Sequence, residues 1–364
     1  MKLLIIGGTR FAGWHTAAAA LARGHTVDVF HRGRSGAPPD GARELIGDRN
    51  GDLSALGTAS GGDRWDAVLD TCGYRPAEIG RVAEALAGRI ERYAFVSSIS
   101  VYADPSVPVH ECSPLGVIDD PDTDVVDGRS YGPLKALCEA EAVRRFGAER
   151  TLIVRPGLIV GPRDPTQRFT YWPARLARVA DEGAAAGTVL APGSPAAPLQ
   201  WIDARDLADF IVGALEQGRA GAFNVVGVPG CHHFGALLQA CAEAAGLRSP
   251  PPLRWVDIGT LQRSHGLQPW SDLPLALPDD DEHRAFMAVD AAKARAAGLR
   301  ERPLAQTLAD TLAWWRSLPP AQQVFDKAGL TPEREQAVLA ALEALDGALV
   351  ASGLGAAANG CKSP

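Results

Sequence analysis

Cysteine is scarce in this sequence, and its six residues (Cys72, Cys112, Cys138, Cys231, Cys241 and Cys361) form no close Cys-x-x-Cys pair. In a chain of 364 residues they read as the reduced thiols of a cytoplasmic protein. No apolar run is long enough to span a bilayer, so no membrane association is expected. The amino terminus reads as a strand, not as a charged segment followed by a cleavable apolar one, and export is not expected. Basic blocks are missing as well. With a formal net charge of −7, non-specific binding to nucleic acid or to an anionic membrane is not favoured, although a local basic pocket stays open. There are no convincing internal repeats.

What is present is an ordinary globular composition, 46% hydrophobic and 22% charged, which can bury a large core. The length suits two domains, or one sheet domain with a smaller cap. The chain is organised around Leu3-Leu-Ile-Ile-Gly-Gly-Thr-Arg-Phe-Ala-Gly13 and the alanine-rich run from Trp14 to Arg23. Four successive apolar residues predict a strand covered on both faces, as in a parallel sheet. Gly7 and Gly8 permit a tight turn, Gly13 lets the next helix approach the sheet, and Gly24 ends that helix. A strand, a glycine turn and a helix start present N–H groups and a positive dipole end to an anion. That pattern points to a dinucleotide pyrophosphate held by Gly7, Gly8, Thr9, Arg10, Phe11 and Gly13. The alternative is a structural corner without a ligand.

The second strand, His25 to Phe30, is followed by His31-Arg32-Gly33-Arg34. A carboxylate at this strand end suits the ribose 2′-hydroxyl of NAD, whereas arginine suits a 2′-phosphate. Asp28 lies within the strand, too early for the first role. His31, Arg32 and Arg34 therefore favour NADP(H), with NAD(H) as the other option; a solvated turn is the alternative.

Trp65 to Asp70 reads as another strand of the sheet, with a turn at Cys72-Gly73 and a helix opening at Pro76. Glu91 to Ser97 is the next strand, ending in Ser97-Ser98-Ile99-Ser100. Tyr131-Gly-Pro-Leu-Lys135 opens a helix that runs to about Phe146, since Pro133 is tolerated only in a first turn. Spacing of four puts the Tyr131 phenol and the Lys135 ammonium on one helix face. A cation beside a phenol favours the phenolate, so Lys135 is expected to bring Tyr131 nearer neutrality for acid–base work. Ser98 is expected to hold a substrate oxygen with the phenol and polarise a carbonyl for hydride attack.

With these motifs in this order, together with Arg155-Pro-Gly-Leu-Ile-Val-Gly-Pro162 and Trp201-Ile-Asp-Ala-Arg-Asp206, the sequence resembles the extended short-chain dehydrogenase/reductases, a superfamily of epimerases and dehydratases. The resemblance covers roughly residues 1 to 318. It implies that Ser98, Tyr131 and Lys135 are catalytic, with Lys135 also holding the nicotinamide ribose. It further implies that Asp48 lies near the adenine and that Pro156 to Ile159 line the nicotinamide, giving Pro156 and Ile159 as cofactor contacts. The form Gly-Gly-Thr-Arg-Phe, with Arg10 at the middle glycine, is similar to an atypical branch that includes chloroplast stem-loop RNA-binding proteins and bacterial reductase-like proteins. Arg10 then either reaches a cofactor phosphate or fills space. Ile99 and Ser100 stand where dehydratases carry an Asp-Glu pair, so a sugar 4,6-dehydratase is not expected. Leu199 and Gln200 stand where a basic residue precedes the Trp201 strand.

Phe169 to Pro173 and Trp255 to Pro278 are expected to face the substrate, or else to be loop anchors tucked into the core. Gln268 to Pro278 is too proline-rich for a regular element. Cys231-His232-His233 with Cys241 lacks metal-ligand spacing, and no metal is expected. Thr331-Pro-Glu-Arg-Glu335 caps a last helix whose stripe, Val338, Leu339, Leu342, Leu345 and Leu349, packs on the body or on a second copy in a homodimer. The expected organisation is an α/β fold: a Rossmann-type doubly wound parallel sheet over 1–162, then a mixed segment over 163–318 that completes the core and forms a smaller substrate lobe. A helical extension over 319–351 and a disordered tail over 352–364 follow. The expected function is an NADP(H)-dependent oxidoreductase acting on a small carbonyl or alcohol. The alternatives are an epimerase that retains its dinucleotide, and a non-catalytic dinucleotide-sensing or RNA-binding protein.

Overall fold

The computed structural model describes residues 1–57, 62–183 and 187–351. The chain opens with β1 (Lys2–Ile6), α1 (Phe11–Ala22), β2 (Thr26–His31) and β3 (Arg43–Ile46). Then come β4 (Trp65–Asp70), α2 (Pro76–Ala85), β5 (Ile90–Val96), α3 (Tyr131–Phe146), β6 (Thr151–Pro156) and β7 (Leu158–Val160). The middle carries α4 (Tyr171–Glu182), β8 (Val189–Pro192), β9 (Pro198–Leu199), β10 (Trp201–Asp203), α5 (Ala204–Glu216), β11 (Gly221–Val225) and β12 (His232–His233). The remainder is α6 (Phe234–Ala244), β13 (Leu253–Val256), α7 (Ile258–His265), α8 (Ala292–Ala296), α9 (Leu304–Ser317) and α10 (Pro332–Ala351). Among the described residues, no helix is long and apolar enough to cross a membrane.

Two compact units interleave along the chain. The first takes Met1–Pro165, Pro198–His233 and Asp280–Ser317; the second takes Thr166–Ala197, Phe234–Asp279 and the chain from Leu318 onward. Residues after 163 return to the first unit because β11 pairs with β6 at the sheet edge and α5 packs along α1.

The first unit is built on a seven-stranded sheet in the order β11-β6-β5-β4-β1-β2-β3, with every pair parallel. Alternation along each strand sends residues to opposite faces. Leu3 and Ile5 of β1 join Val27, Val29, Ala67 and Leu69 under α1 and α5. Leu4 and Ile6 join Phe30, Val68, Tyr93 and Phe95 under α2 and α3. An uninterrupted apolar run is what such two-sided cover requires. The order reverses at β1, since β2 leads outward on one side and β4 restarts on the other. Crevices of this kind sit beyond the strands' carboxyl ends. Gly13 seats α1 there: a Cβ on it would lie 2.8 Å from the Gly7 carbonyl oxygen and 3.0 Å from Gly8 Cα, both rigid backbone. Asp28 lies inside β2 as expected and is fully committed, accepting from Arg43 at 2.8 and 2.6 Å and from Trp65 Nε1 at 2.7 Å.

The second unit has its own core. Its helix pair α4 and α6 packs together, and β8 pairs with β13 in parallel. Phe169 and Trp172, expected among the substrate-facing residues, are instead core side chains here, 0% and 2% exposed. Trp172 Nε1 also donates to the Pro274 carbonyl at 3.0 Å, so the indole's one polar group is satisfied internally. The stretch from Gln268 to Pro278 is irregular as expected, with Trp270 and Leu275 both at positive φ. Thr331 caps α10, its hydroxyl accepting from the Arg334 N–H at 3.3 Å. Glu335, on the first turn, is buried and accepts from Arg175 at 2.7 Å and from the Leu190 N–H at 3.0 Å. Val338 and Leu342 of the expected stripe are buried and Leu339 is half-buried, whereas Leu345 is exposed. The Leu349 side chain and residues 352–364 lie outside the described residues.

A substrate-facing Trp172 and a core Trp172 respond differently to truncation. Trp172→Ala is expected to lower unfolding stability by about 3–5 kcal/mol through cavity formation, read from the denaturant midpoint. A variant as stable as the parent would return this side chain to the substrate-facing reading.

Candidate active site

A cavity of about 460 Å³ opens where the sheet order reverses. Its floor is the turn after β1: Gly7, Thr9, Arg10, Phe11 and Gly13 all line it. Arg10 is the N-cap of α1 but makes no side-chain cap bond, and the first turn carries no acidic residue. The N–H groups of that turn, which have no intrahelical acceptors, therefore face a space fit for an anion. Gly8 does not line the cavity. A Cβ there would meet Val29 at 2.9 Å, so its smallness serves strand packing.

On one side the wall is His31, Arg32, Arg34 and Ser35, followed by Asp48, Arg49 and Asn50. The basic cluster is not uniform. His31 is buried, its Nδ1 accepting from the Gly33 N–H at 3.1 Å and its Nε2 lying 3.0 Å from Glu44. Its Nε2 has no hydrogen-bond partner among the described residues, and Arg32 and Arg34 are exposed at the rim. Pro156 and Ile159, the other expected cofactor contacts, are not part of this wall. Pro156 is buried at the end of β6, and Ile159 packs partly on the core.

Arg49 of this wall belongs to a pair the sequence did not announce. Arg49 clasps Asp70 at 2.7 and 2.8 Å, and the Tyr93 hydroxyl donates to the same carboxylate at 2.8 Å. Burial opposes ionisation of Asp70, yet Arg49 beside it outweighs that and keeps the carboxyl below its ordinary range. The only outward signal was a polar residue ending β4 and an arginine following Asp48.

The expected catalytic set lies beyond the carboxyl end of β5. Ser98 accepts from the Ser100 N–H at 3.1 Å and donates to Ser100 Oγ at 3.0 Å, capping a short 3₁₀ turn, Ile99–Val101. Tyr131 starts α3, with the Ser98 side chain close enough to its phenol to lower the phenol's pKa. Gly132 makes the approach possible, because a Cβ there would fall 2.0 Å from the Ser100 carbonyl oxygen. Pro133 occupies the first turn as expected. One turn beyond Lys135, Glu139 braces the helix against β6 through Arg155, at 2.9 and 2.6 Å.

Lys135 differs from expectation. Its ammonium donates to the Gly73 carbonyl at 3.0 Å and the Val96 carbonyl at 2.6 Å, and lies 4.2 Å from the centre of the Phe95 ring. Burial pushes its pKa down to about 8. The phenol of Tyr131 is not drawn toward neutrality: burial raises it above its ordinary value, and the neighbouring Ser98 side chain only partly opposes that.

Other marked residues turn out to be structural. Gln200 is buried and spends its whole amide on backbone, donating to the Gly227 and Val289 carbonyls and accepting from the Val289 N–H. His232 stacks on Trp201 at 4.2 Å, and Cys241 is buried within α6. Among the described residues, no group of three or more His, Cys, Asp or Glu is arranged to hold a metal.

A model of the NAD dependent epimerase/dehydratase family matches residues 79–226, the stretch that carries Ser98, Tyr131 and Lys135. The chloroplast stem-loop binding protein of 41 kDa b from Arabidopsis thaliana is 27% identical over 68% of this chain, which spans 64% of that relative's length. The Bordetella bronchiseptica enzyme WbmH, solved with NAD+, superposes with a TM-score of 0.62 at 19% identity, covering 89% of this chain and 99% of its own. The UDP-N-acetylglucosamine 4-epimerase of Bacillus cereus gives 0.58 at 17% identity, covering 85% and 98%. The Rossmann-type α/β fold and the resemblance to extended short-chain dehydrogenase/reductases are both borne out.

The contact at Gly132 is testable without a substrate. Gly132→Ala is expected to lower the denaturant midpoint by the equivalent of about 1–3 kcal/mol, because α3 must lift from the Ser98–Ser100 turn. Gly128→Ala, at a glycine with open space around it, should leave the midpoint unchanged. Equal midpoints in all three proteins would mean that α3 is not seated as described.

Proposed function

We propose that this chain is an NADP(H)-dependent oxidoreductase that reduces a small carbonyl, or oxidises the matching alcohol, with Ser98, Tyr131 and Lys135. The observation that carries the reading is the Ser98 side chain set beside the Tyr131 phenol, at the start of a helix that holds Lys135 one turn on. A nicotinamide dinucleotide, when bound, supplies hydride transfer. The cavity fits such a group: the helix N-terminus at Phe11 to Gly13 would hold the pyrophosphate, with Arg10 beside it, and Asp48 would lie toward the adenine.

The chain's own residues then have separable tasks. Ser98 and Tyr131 together receive the substrate oxygen. A phenol held above its ordinary pKa stays protonated at neutral pH, which suits it to donate a proton to an oxygen gaining negative charge. Lys135 would hold the ribose hydroxyls of the nicotinamide side. Arg32 and Arg34 favour a 2′-phosphate, since a guanidinium meets it with paired donors. A retained-cofactor epimerase is the second reading, favoured by the family match over residues 79–226. Tightly held dinucleotide after purification, with isomerised product and no net absorbance change, would put it first.

For the cofactor, Arg32→Ala is expected to weaken NADPH binding by about 1–3 kcal/mol, the worth of a charge-assisted hydrogen bond. NADH binding should barely move. Tighter binding of NADH than NADPH by the parent protein would defeat the preference.

For the chemistry, Tyr131→Phe keeps the ring and removes the proton donor. Turnover should fall by about 10²–10⁴-fold, the usual contribution of general acid catalysis, with folding and NADPH binding retained. Unaltered turnover would take Tyr131 out of the reaction and leave a non-catalytic, ligand-sensing protein as the better account.

A further inference from the structure

The Lys135 ammonium is buried, and among the described residues no carboxylate lies within ion-pair distance of it. Asp70, the acid whose charge reaches it, is already clasped by Arg49. Two of its three N–H bonds go to the Gly73 and Val96 carbonyls. Two aromatic faces complete its surroundings: Phe95 at 4.2 Å and Tyr74 at 5.4 Å from the ring centres. Both are within the roughly 6 Å over which a ring's quadrupole attracts a cation. Phe95 is fully buried in β5 and fixed by the core.

Tyr74 is different. It is 44% exposed, lines the dinucleotide cavity beside Cys72, and tilts its ring against Tyr131 with centres 6.3 Å apart. Neither Tyr131 nor Lys135 lines that cavity, so Tyr74 is the side chain that meets both. Its backbone is held on either side. The Tyr74 N–H donates to Glu78 at 2.8 Å, and the preceding Gly73 carbonyl is the one Lys135 uses. The ring's place is thereby set from the chain outward.

We infer that Tyr74 is a further positioning residue of this site, its ring face holding the Lys135 ammonium charged and in place between the cavity and Tyr131. The inference rests on the reading of Lys135 given above, and it assigns the work to the ring, not to the phenol hydroxyl. The other groups that face the ammonium are Asp70 and Cys72 at the end of β4, Arg49 behind them, and Cys138 on α3. None of these groups is substituted in the Tyr74 variants.

The test reads Lys135 directly and needs no cofactor. The full-length chain is labelled with ¹³C at the lysine ε-carbon and titrated by NMR, the Lys135 signal being assigned by its loss in Lys135→Met. In the parent protein that signal is expected to titrate near pH 8. Tyr74→Leu keeps bulk and removes the π face, and should lower the midpoint by about one pH unit, the size of a desolvated cation–π contact. Tyr74→Phe keeps the face and should match the parent. A Tyr74→Leu midpoint equal to the parent's would overturn the proposal. So would a shift in Tyr74→Phe as large as in Tyr74→Leu, which would move the role to the hydroxyl. A parent protein that binds neither NADPH nor NADH would instead sink the functional reading, while these midpoints would still decide the role of Tyr74.

Discussion

A single ammonium group ties the working parts of the first unit together. Lys135 comes from α3, yet its two hydrogen bonds end on the turn after β4 and on the last residue of β5. A buried charge without a paired carboxylate is costly, so it persists only where dipoles and ring faces converge on it. That convergence fixes the helix relative to the strand ends, and with it the distance between Tyr131 and Ser98. Gly132 supplies the complementary constraint, since nothing larger than hydrogen fits against Ser100. Attraction at one residue and exclusion three positions earlier hold α3 in one place.

Much of this was legible in the sequence because it is local. The run Leu3 to Ile6, the glycines that follow and the alanines of α1 each report on neighbours a few residues away, and they emerged as read. The start of α3 at Tyr131 was likewise set by Pro133, and the helix ends at Phe146 as expected. Residues that act across long separations were not legible. Arg49 and Asp70 are 21 positions apart, Gln200 and Val289 are 89 apart, and nothing in either stretch names its partner. Phe169 and Trp172 were ambiguous for a related reason. An aromatic pair beside prolines looks the same whether it lines a pocket or fills a core, and only the surrounding burial decides.

Two residues of the site depart from expectation through prior commitment of their side chains. His31 was grouped with Arg32 and Arg34 on charge, but its Nδ1 already accepts from the Gly33 N–H. Gln200 stands at a position where a cation was sought, and its amide is saturated by backbone. A residue type gives the chemistry a group could do; the hydrogen bonds it already makes determine what is left over.

The buried Glu335 has a consequence for how the chain can be shortened. It is the partner of Arg175, which is itself only 5% exposed. Ending the chain before α10 would therefore leave Arg175 with its counter-charge removed. The last helix thus behaves as a keystone and not as an appendage: a fragment trimmed to the family-like portion would carry an internal electrostatic defect created by the trimming itself.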